Sequence, residues 1–370
     1  MRFNVSSGRL LQALQTISGA VPSNPVIPIL EFFLFELKPG LVEISASDNT
    51  VSIKSIIEAN VEGNGRVAIP ARLLLDTLKS FPEQPLTFQI DPETHAVAIT
   101  SSHGKYKLVG ADAGSFPMLA DFPDAKIVQL DGKVLQDAIN TTIFAATNDE
   151  MRLNLSGIFF NISAADVKLA ATDAHKLVQY TISGIQANKL VSFTLPKKGA
   201  NLLKNALADN PVHLAANDKM AFFSFGNIEM SCLLIDKKFP DYENVIPRNN
   251  DNILTIPRND LLNSLKRIAI FANKTTNQVN FAISDGSLTI SAQDLDFSNE
   301  ATEQLVCEYD GEPMTIAFNA RFLIEMLQVL HSEHIRMELS TPDRAGLLFP
   351  AQTPDNVDIL MLLMPVVTRG

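Results

Sequence analysis

The sequence predicts an α+β protein made of three repeats of one domain, and three observations predict it. A short acidic motif recurs at a near-constant period. A strand that runs straight into a helix recurs at the same period. Most of the remaining chain alternates apolar and polar residues, the pattern of half-buried strands.

The first copy opens on a helix over 8–18, where Leu10, Leu11 and Leu14 have helical spacing. The alternating run Leu41-Val42-Glu43-Ile44 then leads to Ala46-Ser47-Asp48. The strand Val67-Ala68-Ile69-Pro70 feeds a helix over 71–80, with proline ahead of a helix suiting its fixed φ and missing N–H. Phe116-Pro117 closes the copy.

The second copy repeats this order. A helix over 132–146 carries Leu135, Ala138 and Ile139 on one face. Val167-Lys168-Leu169-Ala170 precedes Ala171-Thr172-Asp173. Phe193-Thr194-Leu195-Pro196 feeds a helix over 197–208, and Phe239-Pro240 closes the copy.

The third copy has a helix over 258–272 with Leu261, Leu262 and Leu265. Leu288-Thr289-Ile290 leads to Ala292-Gln293-Asp294, and Thr315-Ile316-Ala317-Phe318-Asn319 feeds a helix over 320–331. Met364-Pro365 closes it. The three aspartates are 125 and 121 residues apart. Each copy thus holds two helices and about eight short strands, in an order that recurs twice within the copy. Asp121-Phe122-Pro123-Asp124 and the run from Pro247 to Asp251 read as linkers, giving domains 1–123, 124–250 and 251–370.

Composition narrows the function. The 370 residues are 46% apolar, enough for a core in each copy. No apolar run reaches the ~20 residues that cross a bilayer, and the opening Met1-Arg2-Phe3-Asn4-Val5 lacks the apolar core of a signal peptide. Cys232 and Cys307 lie in apolar runs without metal-binding spacing and read as buried free thiols. The expectation is a cytoplasmic protein with neither metal nor cofactor.

The net charge of −11 argues against a nucleic-acid partner only if the charge is spread evenly, and it is not. The six helix spans hold eleven basic and four acidic residues; the rest of the chain holds nineteen basic and thirty-seven acidic. Solvated helix faces are one explanation. The other is that all six helices face one polyanion, with an acidic exterior repelling it elsewhere. No aromatic residues interleave with the helix charges, so the pattern suits the backbone of a duplex rather than stacking on single strands.

Catalytic readings fail. Thr172-Asp173-Ala174-His175 offers an acid beside an imidazole, but the other two copies of the motif lack the histidine. Gly-rich phosphate loops and nucleophile elbows are absent from the sequence.

Seven ordered motifs carry a resemblance over the whole chain. They are Pro28-Ile29-Leu30, Ile69-Pro70-Ala71-Arg72, Ala171-Thr172-Asp173-Ala174-His175-Lys176-Leu177, Pro196-Lys197-Lys198-Gly199, Phe239-Pro240-Asp241-Tyr242, Phe318-Asn319 and Met364-Pro365. In these the chain resembles the bacterial DNA polymerase III beta subunit, the sliding clamp. The resemblance implies a head-to-tail homodimer closed into a ring around double-stranded DNA, binding it without regard to sequence and serving as a processivity factor in DNA replication. It implies docking of the polymerase III alpha subunit, the clamp loader and other proteins with a clamp-binding motif, and no catalysis.

The resemblance also assigns sites. The partner-peptide groove maps to Arg152, Leu155, Thr172, His175, Lys176, Leu177, Pro240, Val245, Asn319, Phe322, Leu362, Met364 and Pro365. The DNA-facing pore takes Arg9, Arg72, Lys79, Lys133, Lys197, Lys198, Lys204, Lys266, Arg267 and Arg321. The dimer interface takes Tyr106 and Leu108 against Ile270 and Phe271, with Lys105 and Lys107 facing Glu300 and Glu303. Three departures stand out. Ala174 and Lys176 replace the family's usual Gly and Arg, Ser23-Asn24 replaces a basic residue before Pro25, and the ending Val366-Val367-Thr368-Arg369-Gly370 is longer. A scaffold of the same architecture that binds proteins only would share the repeat and the groove but would not need cationic helices.

Overall fold

The computed structural model describes residues 1–124 and 126–366; Val367 to Gly370 of the extended ending lie outside the described residues. The first copy contains β1 (Arg2–Ser6), α1 (Ser7–Ile17), β2 (Phe32–Lys38), β3 (Leu41–Ser47), β4 (Val51–Glu58), β5 (Asn60–Glu62), β6 (Gly65–Pro70), α2 (Ala71–Lys79), β7 (Pro85–Ile90), β8 (Ala96–Thr100) and β9 (Lys105–Val109). The second contains β10 (Val128–Leu130), α3 (Gly132–Thr142), β11 (Gly157–Ile162), β12 (Asp166–Thr172), β13 (Lys176–Ser183), β14 (Val191–Pro196), α4 (Lys197–Ala206), β15 (Val212–Ala216), β16 (Met220–Phe225) and β17 (Ile228–Leu233). The third contains β18 (Asn252–Pro257), α5 (Arg258–Ile268), β19 (Gln278–Ser284), β20 (Ser287–Asp294), β21 (Asn299–Val306), β22 (Glu308–Asp310), β23 (Met314–Asn319), α6 (Ala320–Val329), β24 (His334–Leu339), β25 (Gly346–Pro350) and β26 (Val357–Leu363).

The six helices stand where the periodicity places them, but several stop early. α3 ends at Thr142 and gives way to a 3-10 turn over Ile143–Ala145. The buried Thr142 hydroxyl donates back to Ala138 O at 2.8 Å, in a β-branched Thr141-Thr142-Ile143 run that fits a helix poorly. α5 ends at Ile268, so Ile270 and Phe271 occupy a turn, not the helix expected over 258–272. α6 ends at Val329, where Leu330 turns extended and buries its side chain.

Two compact units form, and they do not follow the copies. The first comprises Met1–Gln136 and Lys198–Leu234. Its eight-stranded sheet runs β10-β15-β16-β17-β4-β3-β2-β6, and its five-stranded sheet runs β5-β1-β7-β8-β9. The larger sheet crosses the repeat boundary where β17 pairs antiparallel with β4. Leu10, Leu14 and Ile17 of α1 and Leu74 and Leu78 of α2 are buried. In the core Phe3 stacks on Phe88 at 4.6 Å. Burying each such side chain stabilises the unit by roughly 1.5–3 kcal/mol.

The second unit comprises Asp137–Lys197 and Ile235–Gly370. A nine-stranded sheet runs β14-β11-β12-β13-β26-β25-β24-β18-β22, and a four-stranded one runs β21-β20-β19-β23. Here β13 pairs antiparallel with β26, from Lys176↔Leu363 to Ile182↔Val357. The strand that leads into Met364-Pro365 is thus a central strand of this sheet. Leu261, Leu265 and Ile268 of α5 pack with Leu323, Met326 and Leu327 of α6 in one core with Phe281 and Phe318.

Candidate docking groove and basic helix faces

The groove residues all fall in the second unit. Leu155, Leu177 and Leu362 join one buried cluster with Ala170, Phe239, Tyr242, Ala345 and Leu347. Phe159 stacks on Phe239 at 4.8 Å and 7° beneath it. These leucines form a packed floor. Val245 is 61% exposed, and Met364 and Pro240 are also exposed. Pro365 is half-buried, and Met364 N–H donates to His175 O at 2.9 Å, fixing the ending against the turn that precedes β13.

That turn, Asp173-Ala174-His175, is built from its own polar groups. Asp173 Oδ1 accepts from the backbone N–H of His175 and of Lys176, both at 2.9 Å. Thr172 Oγ1 donates to Lys176 O at 2.7 Å and accepts from Ala174 N–H at 3.1 Å. Ala174 sits at φ +77°, where glycine is at ease and alanine is strained.

Lys176 is 5% exposed. Its ammonium lies 2.8 Å from Glu325 and 3.2 Å from Asp173, and 4.1 Å from the Phe322 ring centroid. His175 stacks on the same Phe322 ring, with centroids 6.2 Å apart and planes at 22°. Lys176 is thus neutralised in place, and it presents Phe322 as an aromatic surface rather than offering a charge to a ligand. Asn319 caps α6, accepting from Arg321 N–H at 3.0 Å and Phe322 N–H at 3.4 Å. Arg152 is exposed and pairs with Asp149 at 3.6 Å.

The two sheet junctions differ in the residues they pair. At the β13–β26 junction Leu177 sits opposite Leu362. At the corresponding place on the β17–β4 junction Ser52 sits opposite Ser231. Two rungs on, on the same face, Lys54 sits opposite Glu229, ion-paired at 3.2 Å, where the second unit has Gln179 opposite Leu360. The apolar floor exists at one junction because one pair of serines is a pair of leucines.

Among the predicted pore cations, Arg9, Arg72, Lys79, Lys133, Lys198, Lys266, Arg267 and Arg321 are exposed, while Lys197 and Lys204 are half-buried. Some have partners within the chain. Lys197 donates to Ala146 O at 2.8 Å and to Asn148 at 2.7 Å, and desolvation, with the nearby Lys176, pulls its pKa below the usual lysine value. Lys198 bonds to Asp48, Arg9 lies 3.8 Å from Glu58, and Arg267 forms a bidentate pair with Glu303 at 2.6 and 2.7 Å. Among the described residues Arg72, Lys79, Lys266 and Arg321 make no ion pair. Tyr106, Ile270, Phe271 and Glu300 are exposed, Leu108 is buried, and Glu303 is half-buried under Arg267.

The sequence does not single out Glu325, Phe239 or Tyr242 as site residues. The motif Phe239-Pro240-Asp241-Tyr242 contributes Phe239 and Tyr242 to the buried floor besides Pro240. Glu325 lies 149 residues from Lys176, so no local pattern could reveal that pairing.

Three copies of one α+β domain, with sheets continuous across copies, define the class: a clamp protein built by repetition. Family models agree along the chain. Residues 1–120 match the N-terminal domain of the DNA polymerase III beta subunit, 129–241 its central domain and 243–367 its C-terminal domain. The beta sliding clamp of Synechocystis sp. is 29% identical, covering 96% of this chain and 97% of its own. That of Pseudomonas aeruginosa is 26% identical, covering 98% and 99%. A crystal structure of the sliding clamp from Bartonella birtlesii superposes with a TM-score of 0.91 at 26% identity, covering 100% of both chains. The chain belongs to the DNA polymerase III beta subunit family, the bacterial DNA sliding clamps.

Proposed function

We propose that two copies of this chain close head to tail into a ring that encircles duplex DNA and tethers the replicative polymerase to it. The carrying observation is the repeat of sheet junctions. Strand β17 of copy two joins β4 of copy one, and β26 of copy three joins β13 of copy two. The equivalent strands left over are β9 and β21, each a sheet edge. Unpaired edges are templates for pairing with another chain, and a heterologous contact that closes makes a ring.

Register supports the same reading. Met230↔Ile53 and Met361↔Val178 occupy equivalent rungs. Carrying that rung to the third junction sets Tyr106 opposite the partner's Ala301 and Lys107 opposite the partner's Glu300. Opposite charges then meet at the rung that holds two serines and two leucines elsewhere. Ile270 and Phe271 add exposed apolar surface to the same seam. Glu303 already serves Arg267, so Glu300 is the carboxylate that orients the partner.

In this reading the domains are 1–123, 124–250 and 251–370, and the six helices of each chain face the DNA. Arg72, Lys79, Lys266 and Arg321 supply mobile, sequence-independent phosphate contacts. The polymerase III alpha subunit, the clamp loader and other proteins with a clamp-binding motif insert apolar side chains over Leu155, Leu177 and Leu362. The chain acts in the cytoplasm as an accessory subunit without chemistry of its own. Protein loaded on nicked circular DNA should be retained through gel filtration and lost once the circle is linearised. Equal loss from circles and linear DNA would sink the ring and leave a protein-only scaffold.

A further inference from the structure

Each internal junction has a second contact besides its strands. The turn between the third and fourth strands of one copy meets the first turn of the second helix of the next copy. Asp48, in the β3–β4 turn, binds Lys198 at the start of α4. His175, in the β12–β13 turn, stacks on Phe322 at the start of α6. The β20–β21 turn of the third copy has no following copy within the chain.

That turn differs from the other two. Between the equivalent paired residues, Gln293 and Glu300, it is two residues longer than the turns between Ser47 and Ser52 and between Thr172 and Leu177. The added length displays Leu295, 78% exposed, and Phe297, 73% exposed. It is also held in shape. Asp296 N–H donates to Asp294 Oδ1 at 3.2 Å, and Asn273 Nδ2 lies 3.5 Å from both carboxylates, which anchors the turn beside Ile270 and Phe271. On α2, the position equivalent to Phe322 is Leu73, 52% exposed.

We propose that Leu295 and Phe297 dock on Leu73 of the partner chain, forming an apolar latch that secures the ring beside its strand seam. The proposal rests on the head-to-tail dimer proposed above and continues that seam. All three residues are exposed in the single chain, so they can be changed without disturbing its core. The latch adds apolar burial where the internal junctions use an ion pair and a ring stack, so its contribution survives high salt.

The test is a sedimentation dilution series on the full chain, its Leu73→Asp variant and its Leu295→Asp/Phe297→Asp variant. It is joined by mild oxidation of a Leu73→Cys/Phe297→Cys chain. The latch predicts a dimer dissociation constant raised about tenfold or more in both aspartate variants, still raised in high salt, and a disulfide-linked dimer from the cysteine pair. An unmodified chain that dimerises, with variants of unchanged constant and no linked dimer, overturns the latch and leaves the ring intact. An unmodified chain that stays monomeric throughout overturns both.

Discussion

Ala174 shows how far a single residue can be read. Its substitution for a usual glycine was visible in the sequence, but its backbone angle was not. At φ +77° an alanine carries roughly 1 kcal/mol of strain, close to the entropy that glycine would lose on folding. Ala174→Gly should therefore leave the urea midpoint nearly unchanged. Ala174→Val, with a branched side chain in the same conformation, should cost about 2 kcal/mol. Lys176 was legible as a groove residue, but its burial between Glu325 and Asp173 was not, because that depends on α6 folding back onto β13.

Asp48 gives a pH prediction at the same scale. Burial raises its pKa, but hydrogen bonds from Lys198, Val51 and Thr50 outweigh that and hold it below the ordinary carboxylate value. A depressed folded pKa stabilises the fold above about pH 4, and the share is lost as pH falls through the depressed value. Thermal midpoints of Asp48→Asn should be lower than those of the unmodified chain at pH 6. The two should converge toward pH 3.

At the scale of elements, the helices were legible because leucine spacing reports a buried stripe, as in Leu261, Leu262 and Leu265. Their ends were less so. The stop of α3 depends on a buried threonine turning back on its own helix, a contact that periodicity does not encode. Asn319 was read as a groove residue, and the structure shows it capping α6. Asn319→Ala should cost about 1 kcal/mol of stability and should also loosen Phe322, which follows the cap. Denaturant unfolding would measure the first effect and the affinity for a clamp-binding peptide the second. A stability loss with peptide affinity unchanged would confine Asn319 to the helix.

For the whole molecule, the threefold repeat was legible, but the fusion of copies through their sheets was not. Strand pairing across 175–187 residues follows from three-dimensional docking, as between β13 and β26. That pairing has a practical consequence. Removing 362–370 would delete buried Leu362 and Leu363 from a central strand as well as the groove wall. Such a truncation should lower the melting temperature of the second unit. Loss of peptide binding alone, with an unchanged melting curve, would mean that β26 contributes little to the sheet.

The edges left on β9 and β21 bear on molecularity. Two of the three kinds of junction join segments of one chain, so their strength is indifferent to protein concentration. In the proposed ring the third joins separate molecules and obeys mass action. Dilution therefore acts on that junction alone. There is a range of concentration in which every chain is folded, every groove is intact and free chains are nonetheless single. A ring already threaded on a circle is governed instead by the rate at which its seams part. Persistence on DNA is then a kinetic property of two strand edges, separate from the stability of the fold that carries them.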